Sequence, residues 1–473
     1  MKWLRPAAAL ILIVCAGCPR LAEALEPPAD PYFLGTGSWK QPYEDMWALH
    51  RIGFTADSDS AWRLLPAKLT PVTVAIIDTG LDWNHLDLSW DNLWRNPKEI
   101  GVTGKVPARG QYQDDVIGWD FVKGNNHPWD YDGHGTFVTG LIAASWNNGA
   151  GIAGINPAVR IMVLRALNDF GHTRASYIAE AIVYAADNGA RVINVSVGGQ
   201  GIPQIARKAV EYAVAKGVLI VTAAGNDGIE LKDYALAGLD GVITVGASDH
   251  DDNRVVFSNW GRAVDLVAPG IDILSLRARS TDTLRDIPGA RYTPDSAYVG
   301  ADKRYYVAGG TSFSAPLVTG VASLLFAKDP TLTAVEVKRM ILNSARDVGV
   351  PGIDQFTGHG VLDARAALAA DRNFFIDASI SSVAVTQEKG ATLVEVHGTA
   401  DCNAWGQASL ELGAGDSPAQ FNAIAAIPEA VRGGILARIP ATAFKGSAVW
   451  QLRVVVRHRN GRSQEARFRL QLG

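Results

Sequence analysis

Short apolar runs alternate with amphipathic or alanine-rich segments from Val72 to about Ala370. Continuous apolar runs of roughly 4–8 residues are typical of strands buried on both faces of a sheet, whereas apolar residues at helical spacing indicate helices. The pattern predicts six buried parallel strands, at Val72–Ile77, Arg160–Leu164, Val192–Ser196, Val218–Ala223, Val242–Gly246 and Asp265–Ala268. Helices are predicted between or after them, at His134–Trp146, Ala175–Asn188, Pro203–Lys216, Ser312–Lys328 and Ala334–Ala345. This alternation predicts an α/β fold, with a mostly parallel sheet covered by helices on both faces.

The pattern changes after Asn373, where short strands of partly alternating polarity replace the alternation of strands and helices. Closely spaced strands without intervening helices are typical of a β-sandwich, which needs about 100 residues. We therefore predict an accessory β-sandwich at residues 375–473. Its predicted strands are Ser381–Gln387, Thr392–His397, Ala408–Leu412, Gly434–Ile439, Val449–Val456 and Arg462–Leu472.

The first 24 residues have the pattern of an export signal. Lys2 and Arg5 precede an apolar run, Ala7 to Gly17, that is shorter than the ~20 residues a membrane span needs. The small residue Ala24 then predicts cleavage before Leu25. An exported chain would be secreted, periplasmic or held at the cell envelope.

A lipoprotein signal, acylated at Cys18, is the alternative form of export. In either form we predict an N-terminal extension at residues 25–44 and a main domain at residues 45–372. Cleavage before Leu25 would leave Cys402 as the single cysteine, so no disulfide could form within the chain.

Composition and charge narrow the class of protein. Apolar residues make up 48% and charged residues 19%, which supports a large core and excludes a long disordered chain. The net charge of -4 gives nucleic-acid binding no electrostatic support. The signal and the β-rich tail are each slightly basic, so the excess of acidic residues lies between them.

Three short motifs carry Asp, His and Ser in that order. Asp78 follows the apolar run Val72–Ile77, and catalytic groups of open α/β sheets collect at the carboxyl ends of such strands. His134 opens a helix in Asp-Gly-His-Gly-Thr, and Ser312 opens another in Gly-Thr-Ser-Phe-Ser-Ala-Pro. A serine hydroxyl becomes nucleophilic when a base accepts its proton, and the base needs a carboxylate to fix its tautomer. Free N–H groups at the start of the serine helix would face an oxyanion formed there.

The three motifs and their surroundings resemble the subtilisin-like serine endopeptidases. The resemblance spans about Met46 to Ala370 and includes Asn-Val-Ser-Val-Gly-Gly, Ala-Ala-Gly-Asn and Gly-His-Gly-Val-Leu-Asp. It implies that Asp78 orients the imidazole of His134, the general base and acid, while Ser312 is the nucleophile and Asn226 donates to the oxyanion. Taken singly, each of these residues would be better explained by a capping or turn role, but four such coincidences in the family's order would be needed.

The resemblance also implies how a substrate would bind. An extended peptide adds as a strand, with main-chain hydrogen bonds for affinity and pockets for alternate side chains. Small residues on both pocket walls leave room for a large apolar or aromatic side chain, although close strand packing also selects small residues. The implied substrate-binding residues are Ser196, Val197, Gly198, Ala223, Ala224 and Gly225.

A structural calcium ion is implied at Asp87 and the loop 146–152. A carboxylate, an amide oxygen and several carbonyls suit a hard cation with six to eight ligands. The implied ligands are Asp87, Asn148 and the carbonyls of Trp146, Ala150 and Ile152. Asn-Asn-Gly is also good turn sequence, so a solvated turn is the alternative. A second calcium site of the family is expected to be lost, because Lys123 stands where relatives carry an acid.

We therefore expect an exported, monomeric serine endopeptidase that hydrolyses proteins or peptides through an acyl-enzyme. The alternatives are a catalytically idle binding or adhesion protein on a protease scaffold, and a processing protease of narrow specificity. The accessory β domain resembles small Ig-like modules of secreted hydrolases. Its last stretch, Arg453–Leu472, has six arginines against one acid, and could contact a cell surface or glycan. A solvated strand face is the simpler interpretation of that stretch.

Overall fold

The computed structural model describes residues 24–99, 111–201, 203–232, 234–279, 297–388 and 390–471. The predicted export signal, with Cys18, lies outside the described residues. Two domains are visible in this part of the chain, an α/β domain up to about residue 370 and a β domain that begins at Ile376.

Seven parallel strands form the central sheet of the α/β domain. They are β1 (Val72–Asp78), β2 (Gly118–Asp120), β3 (Val159–Arg165), β4 (Val192–Val195), β5 (Leu219–Ala223), β6 (Val242–Ser248) and β7 (Leu266–Pro269). Their order across the sheet is β2-β3-β1-β4-β5-β6-β7. All six predicted strands are present, and β2 is an addition whose three residues are too short to give a periodic signal.

Helices cover both faces of this sheet, as the α/β prediction requires. They are α1 (Pro31–Leu34), α2 (Trp47–Arg51), α3 (His134–Ala143), α4 (Ala175–Asp187), α5 (Gln204–Ala215), α6 (Thr311–Lys328), α7 (Ala334–Leu342) and α8 (Ala364–Ala369). Successive residues of β1 point to opposite faces. Val74 and Ile76 join the buried cluster of α3 and α6, whereas Ala75 and Ile77 join that of α4 and α5. The predicted fold class is therefore confirmed.

Helix α6 runs through the interior of the α/β domain. Nearly all of its residues are buried, and its side chains are mostly small, which allows β4, β5 and β6 to pack closely against it. Among the described residues, no helix is both long and apolar enough to cross a membrane.

An antiparallel three-stranded sheet leads into α6. It is made of β8 (Ile273–Leu276), β9 (Tyr298–Val299) and β10 (Tyr305–Ala308), in the order β8-β10-β9. Gly310 precedes α6 with a φ of 150°, a conformation that glycine adopts without a Cβ clash. The turn at Gly310 thus places the start of α6 at the edge of the sheet.

The segment predicted as an N-terminal extension packs on the α/β domain. Phe33 of α1 is fully buried and contacts the rings of His50 and Trp62, with centroid distances of 5.0 and 5.3 Å. Residues 25–44 therefore contribute to the same core as the rest of the domain.

The β domain consists of two antiparallel sheets, β11-β12-β15 and β14-β13-β16-β17. The strands are β11 (Ile376–Glu388), β12 (Ala391–Cys402), β13 (Trp405–Ala414), β14 (Asn422–Ile427), β15 (Val431–Pro440), β16 (Val449–His458) and β17 (Ser463–Gln471). Alternate residues of both sheets, including Val396, Leu410 and Leu452, form one buried cluster. The predicted accessory β-rich domain is confirmed. Strand β14 was missed because its Asn-Ala-Ile-Ala-Ala-Ile sequence has a weak strand propensity.

Candidate active site

The candidate catalytic residues gather at the carboxyl edge of the central sheet. Asp78 ends β1, Ser196 follows β4, and Asn226 follows β5. The neighbours of β1 are β3 and β4, so the chain order reverses there. Such a switch point leaves a crevice outside the carboxyl ends of the strands, which is where open α/β sheets bind their ligands.

A hydrogen bond joins the candidate orienting acid to the candidate base. His134 Nδ1 donates to Asp78 Oδ1 at 2.8 Å, and the backbone N–H of Thr79 donates to the same oxygen at 2.7 Å. A Cβ at Gly135 would clash with the backbone of Gly80, so a side chain there would push α3 away from β1. The glycine after His134 therefore permits the short distance between these two elements.

A second carboxylate, Asp130, holds the end of β1 and the start of α3 together. It is buried and accepts hydrogen bonds from Thr79 Oγ1 at 2.9 Å, Gly133 N at 2.7 Å and Thr136 N at 2.8 Å. These bonds tie the end of β1 to the first turn of α3. Sequence reasoning missed Asp130, and its only signal there was a carboxylate just before a helix start.

Nearby carboxylates raise the pKa of the His134 imidazole. Burial disfavours the charged ring, but the carboxylates of Asp78, Asp132 and Asp130 favour it, and the balance raises the pKa of His134 to about 9. Burial also raises the pKa of Asp132 to about 6. The site therefore stabilises an imidazolium, the charge state that a base acquires when it accepts a proton.

Ser312 lies in the first turn of α6, facing His134 across a cavity of 280 Å³ that both residues line. The carbonyl of Ser312 accepts a hydrogen bond from Ser196 Oγ at 3.0 Å. Pro316 has no N–H to offer the carbonyl four residues earlier, which frees that oxygen for Ser196. Ser312 Oγ in turn donates to the carbonyl of Ser196 at 3.4 Å.

The amide of Asn226 is oriented by Thr311. Asn226 Oδ1 accepts from the backbone N–H of Thr311 at 2.9 Å and from its Oγ1 at 3.0 Å. With the oxygen held in this way, the amide N–H₂ group is left to face the cavities beside Ser312, both of which Asn226 lines. Thr311 is a further residue that sequence reasoning missed.

The predicted substrate-binding residues border two adjoining cavities. Ser196, Val197 and Gly198 line the cavity that holds His134, and Gly198 also lines a second cavity of 460 Å³. Ala223 and Gly225 lie on the second cavity, together with Ser312. Ala224 is fully buried and packs in a small core cluster.

Two of the predicted calcium ligands, Asp87 and Asn148, are joined by a hydrogen bond close to Asp30, a carboxylate that sequence reasoning missed. Asp87 accepts from Asn148 Nδ2 at 2.7 Å and from the backbone N–H of Ile152 at 2.8 Å. Asp30 is fully buried and accepts from the backbone N–H of Asn147 at 2.9 Å. Burial, together with the charge of Asp30, raises the pKa of Asp87 to about 7.

This donor set fits a hard cation. In the part of the chain that the structure describes, the second oxygen of Asp30 is buried and has no hydrogen-bond partner. No group of three His, Cys, Asp or Glu side chains suited to a metal occurs among the described residues. Two buried carboxylates, an amide and a loop rich in carbonyls nevertheless match the oxygen ligands that Ca²⁺ takes.

Asp120 begins the loop that contains Lys123, where the loss of a second calcium site is predicted, and its carboxylate forms an ion pair. Asp120 accepts from Arg165 Nη1 at 2.6 Å, and both side chains are fully buried. Arg165 also donates to the carbonyl of Thr79 at 3.0 Å and pairs with Asp169. The guanidinium thus links the ends of three strands next to Asp78.

Comparisons with known proteins agree with this arrangement. The model of the subtilase family matches residues 70–360. The chain is 35% identical over 325 residues to the thermophilic serine proteinase of Bacillus sp. (strain AK1), covering 68% of each protein. It is 33% identical over 325 residues to thermitase of Thermoactinomyces vulgaris, covering 69% of this chain and 94% of thermitase.

Two further similarities are to a protein named for its location in the cell and to a solved structure. The cell wall-associated protease of Bacillus subtilis (strain 168) is 32% identical over 355 residues, which are 70% of this chain and 35% of that protein. The crystal structure of a cold adapted subtilisin-like serine proteinase superposes with a TM-score of 0.50 at 26% identity, covering 67% of this chain and 97% of that one. The chain therefore belongs to the subtilase family and is a subtilisin-like serine endopeptidase.

Proposed function

We propose that Asp78, His134 and Ser312 form the catalytic triad of this endopeptidase, with Asn226 in its oxyanion hole. The observation that carries the proposal is the 2.8 Å hydrogen bond from His134 to Asp78, next to a serine at the start of a buried helix. The bond to Asp78 uses Nδ1 and leaves Nε2 to serve as the base.

Peptide hydrolysis would proceed in two halves. Ser312 Oγ attacks the scissile carbonyl carbon while His134 Nε2 accepts its proton, and the oxyanion is stabilised by Asn226 Nδ2 and by N–H groups at the start of α6. His134 then gives the proton to the leaving amine, which leaves an acyl group on Ser312. Water, deprotonated by His134, attacks this ester, and Ser312 is restored with release of the acid.

Protein or peptide chains would bind in an extended conformation. The backbone of Ser196–Gly198 offers a strand edge along the catalytic cavity, to which the residues before the scissile bond can pair. The second cavity, which opens beside Ser312, would receive the side chain of the residue immediately before that bond.

Cleavage of one unfolded test protein, with the products identified by mass spectrometry, tests the assignment. The wild type should cut it, whereas Ser312→Ala and His134→Ala should lose essentially all cleavage while keeping their thermal unfolding. Ser463→Ala, a substitution of an exposed serine in the accessory domain, is the matched control and should cut like the wild type. A wild type that cuts no test protein would favour the idle-scaffold alternative, and an active Ser312→Ala would refute the nucleophile.

We further propose that Asp30, Asp87 and Asn148, with carbonyls of Trp146, Ala150 and Ile152, hold a structural calcium ion. The support is a buried oxygen of Asp30 that has no hydrogen-bond partner among the described residues and lies close to a second buried carboxylate. A bound cation would neutralise both carboxylates and fasten the N-terminal segment to the loop 146–152. This ion would stabilise the fold and take no part in peptide hydrolysis.

We also propose export through residues 1–24, with the mature enzyme secreted or at the cell envelope. One similar protein is named a cell wall-associated protease, which supports this location. N-terminal sequencing of the protein recovered outside the cytoplasm tests it. A start at Leu25 is expected, whereas a lipid-modified Cys18 would support the alternative signal.

A further inference from the structure

Four aromatic rings form a surface cluster beside the catalytic cleft, and peptide hydrolysis makes no use of them. Together they line a cavity of 370 Å³, whose residues are Trp83, Asn84, His127, Trp129 and Tyr131. Trp83 packs edge to face against two of the other rings, with centroid distances of 4.7 Å to Trp129 and 5.0 Å to His127. His127 and Tyr131 are exposed, and the two indoles are half-buried. Contiguous aromatic surface that is open to solvent often marks a binding site.

The backbone beneath this aromatic cluster is fixed by the catalytic scaffold. The N–H of Leu81 donates to the carbonyl of Pro128 at 3.1 Å, and the N–H of Asp130 donates back to Leu81 at 3.3 Å. A Cβ at Gly80 would lie 2.7 Å from the backbone of Trp129, so the glycine permits a close approach of the two segments. The rings are therefore preformed, and a ligand would not have to order them on binding.

The polar atoms of the aromatic cluster are free to bind a ligand. In the part of the chain that the structure describes, the indole N–H groups of Trp83 and Trp129 and the hydroxyl of Tyr131 donate to no protein acceptor. By contrast, the indoles of Trp62 and Trp146 donate to backbone carbonyls at 2.9 and 2.6 Å. An indole N–H donates and never accepts, so the cluster suits a ligand that presents hydrogen-bond acceptors.

The charges around the cluster indicate a neutral ligand. Lys123 Nζ lies 4.0 Å from the ring centroid of Tyr131, so a cation of the protein already covers part of that ring. Asp82, in the same loop as Asn84, is buried and pairs with Arg279. Among the described residues no carboxylate lines this cavity, although a saccharide would need acceptors for its hydroxyl protons.

We propose that the aromatic cluster binds a proline-rich segment of the protein substrates. Proline residues present apolar rings and carbonyl acceptors without N–H groups, and their extended helix loses little conformational entropy when it docks on aromatic side chains. Tyr131 is followed by Asp132, which lines the catalytic cavity, so the cluster continues the surface on which substrates lie. The inference rests on the proposed function, since a segment held here keeps the rest of its chain close to Ser312.

Cleavage of matched peptides tests the proposal. All peptides share one scissile sequence, which is preceded or followed, through a flexible linker, by ten prolines or by ten glycine and serine residues. For the wild type, kcat/KM should be about tenfold higher for at least one proline peptide than for its glycine–serine partner, because tethering raises the local concentration of the scissile segment. The gain should come from a lower KM, and free decaproline should remove it by competition.

Substitutions in the cluster should remove this preference without affecting the chemistry. Trp83→Ala and His127→Ala should each abolish most of the proline advantage and leave kcat/KM for the glycine–serine peptides within about threefold of the wild type. Trp90→Ala is the matched control, because it removes an exposed tryptophan that does not line this cavity. It should keep the advantage.

Equal kcat/KM for proline and glycine–serine peptides in both arrangements would overturn the inference, as would an advantage that survives both substitutions. Tighter binding of chitohexaose than of decaproline to the Ser312→Ala protein, followed by tryptophan fluorescence, would overturn it in favour of a saccharide site. Failure to cleave any peptide would refute the proposed function, and the fluorescence titration with decaproline would then decide by itself whether the cluster binds proline-rich chains.

Discussion

At the scale of single residues, charges around His134 decide the pH at which the enzyme works. Only the neutral imidazole can accept the proton of Ser312, so activity should appear as His134 loses its proton. Asp78, Asp132 and Asp130 hold its pKa above the ordinary value, at about 9.

We predict that kcat/KM rises with pH through a midpoint clearly above 6.5, and that Asp132→Asn moves this midpoint to lower pH. The sign follows because removing a negative charge makes the imidazolium easier to deprotonate. A pH profile of kcat/KM for a neutral peptide checks it, with Asp91→Asn, an exposed site, as control. A maximum near pH 4 would contradict a histidine base altogether.

Arg165 is a buried charge that links the ends of β1, β2 and β3. Removing one member of a buried ion pair leaves the other charged and unpaired, which typically lowers stability by about 3–5 kcal/mol. We predict such a loss for Arg165→Met and a smaller one for the double variant with Asp120→Asn, measured by denaturant unfolding in a Ser312→Ala background. A double variant no more stable than Arg165→Met would show that the pair with Asp120 is not the source of the loss.

At the scale of elements, the N-terminal segment and the loop 146–152 are joined by hydrogen bonds and by two buried carboxylates. Asn147 Oδ1 accepts from the backbone N–H of Ala29 at 2.8 Å, and the N–H of Tyr32 donates to the carbonyl of Gly151 at 2.8 Å. A cation at Asp30 and Asp87 would strengthen a junction that is otherwise strained by like charges.

We predict that Tm rises with free calcium in the Ser312→Ala protein and that Asp30→Asn or Asp87→Asn removes most of this rise. A ligand that binds only the folded state stabilises it by about 2.7 kcal/mol at 100 times its Kd. Thermal unfolding in chelator and in millimolar calcium measures the effect, and the exposed Asp91→Asn serves as control. Equal shifts in all variants would exclude this site, and the absence of any shift would leave a simple turn.

At the scale of the whole molecule, the β domain is attached to the α/β domain by backbone pairing as well as by side chains. The N–H of Ile353 donates to the carbonyl of Glu465 at 2.7 Å, and the N–H of Arg467 donates back to Ile353 at 3.1 Å. Arg339 Nη2 and Asp377 Oδ2 form an ion pair of 2.6 Å across the same junction.

We predict that Ile353→Pro, which removes one of these N–H groups, loosens the junction. A lost hydrogen bond that leaves its partner unsatisfied costs about 1–3 kcal/mol, so the domains should move relative to each other. Small-angle X-ray scattering in the Ser312→Ala background should detect a larger radius of gyration, and Ile353→Ala, which keeps the N–H, should not show it. Identical scattering from both variants would mean that the hydrogen bond from the N–H of Ile353 is not needed to hold the junction.

Three of the six arginines in the stretch Arg453–Leu472 form ion pairs with acids. Arg453 pairs with Glu411 and Glu465, Arg467 pairs with Glu465, and Arg469 pairs with Asp416. Contact with a cell surface or glycan therefore has less free positive charge behind it than the count of arginines indicates. That contact, and a monomeric state, stay predictions.

The sequence by itself determined six strands of the central sheet, its five longer helices, most strands of the β domain and the three motifs. The runs that became β1 and β3 to β7 were recognisable because buried parallel strands need uninterrupted apolar residues. Asp78, His134, Ser312 and Asn226 were recognisable because each sits in a short motif whose glycines and small residues are needed for close packing.

Only the tertiary structure decided which isolated polar residues belong to the proposed catalytic site and the proposed calcium site. Asp30 reaches the loop 146–152 across more than a hundred residues. Asp130 carries no motif of its own, and Thr311 lies in the serine motif without any sign there of its bonds to Asn226. Burial turns such side chains into strong hydrogen-bond acceptors or charges, and burial depends on contacts between distant segments.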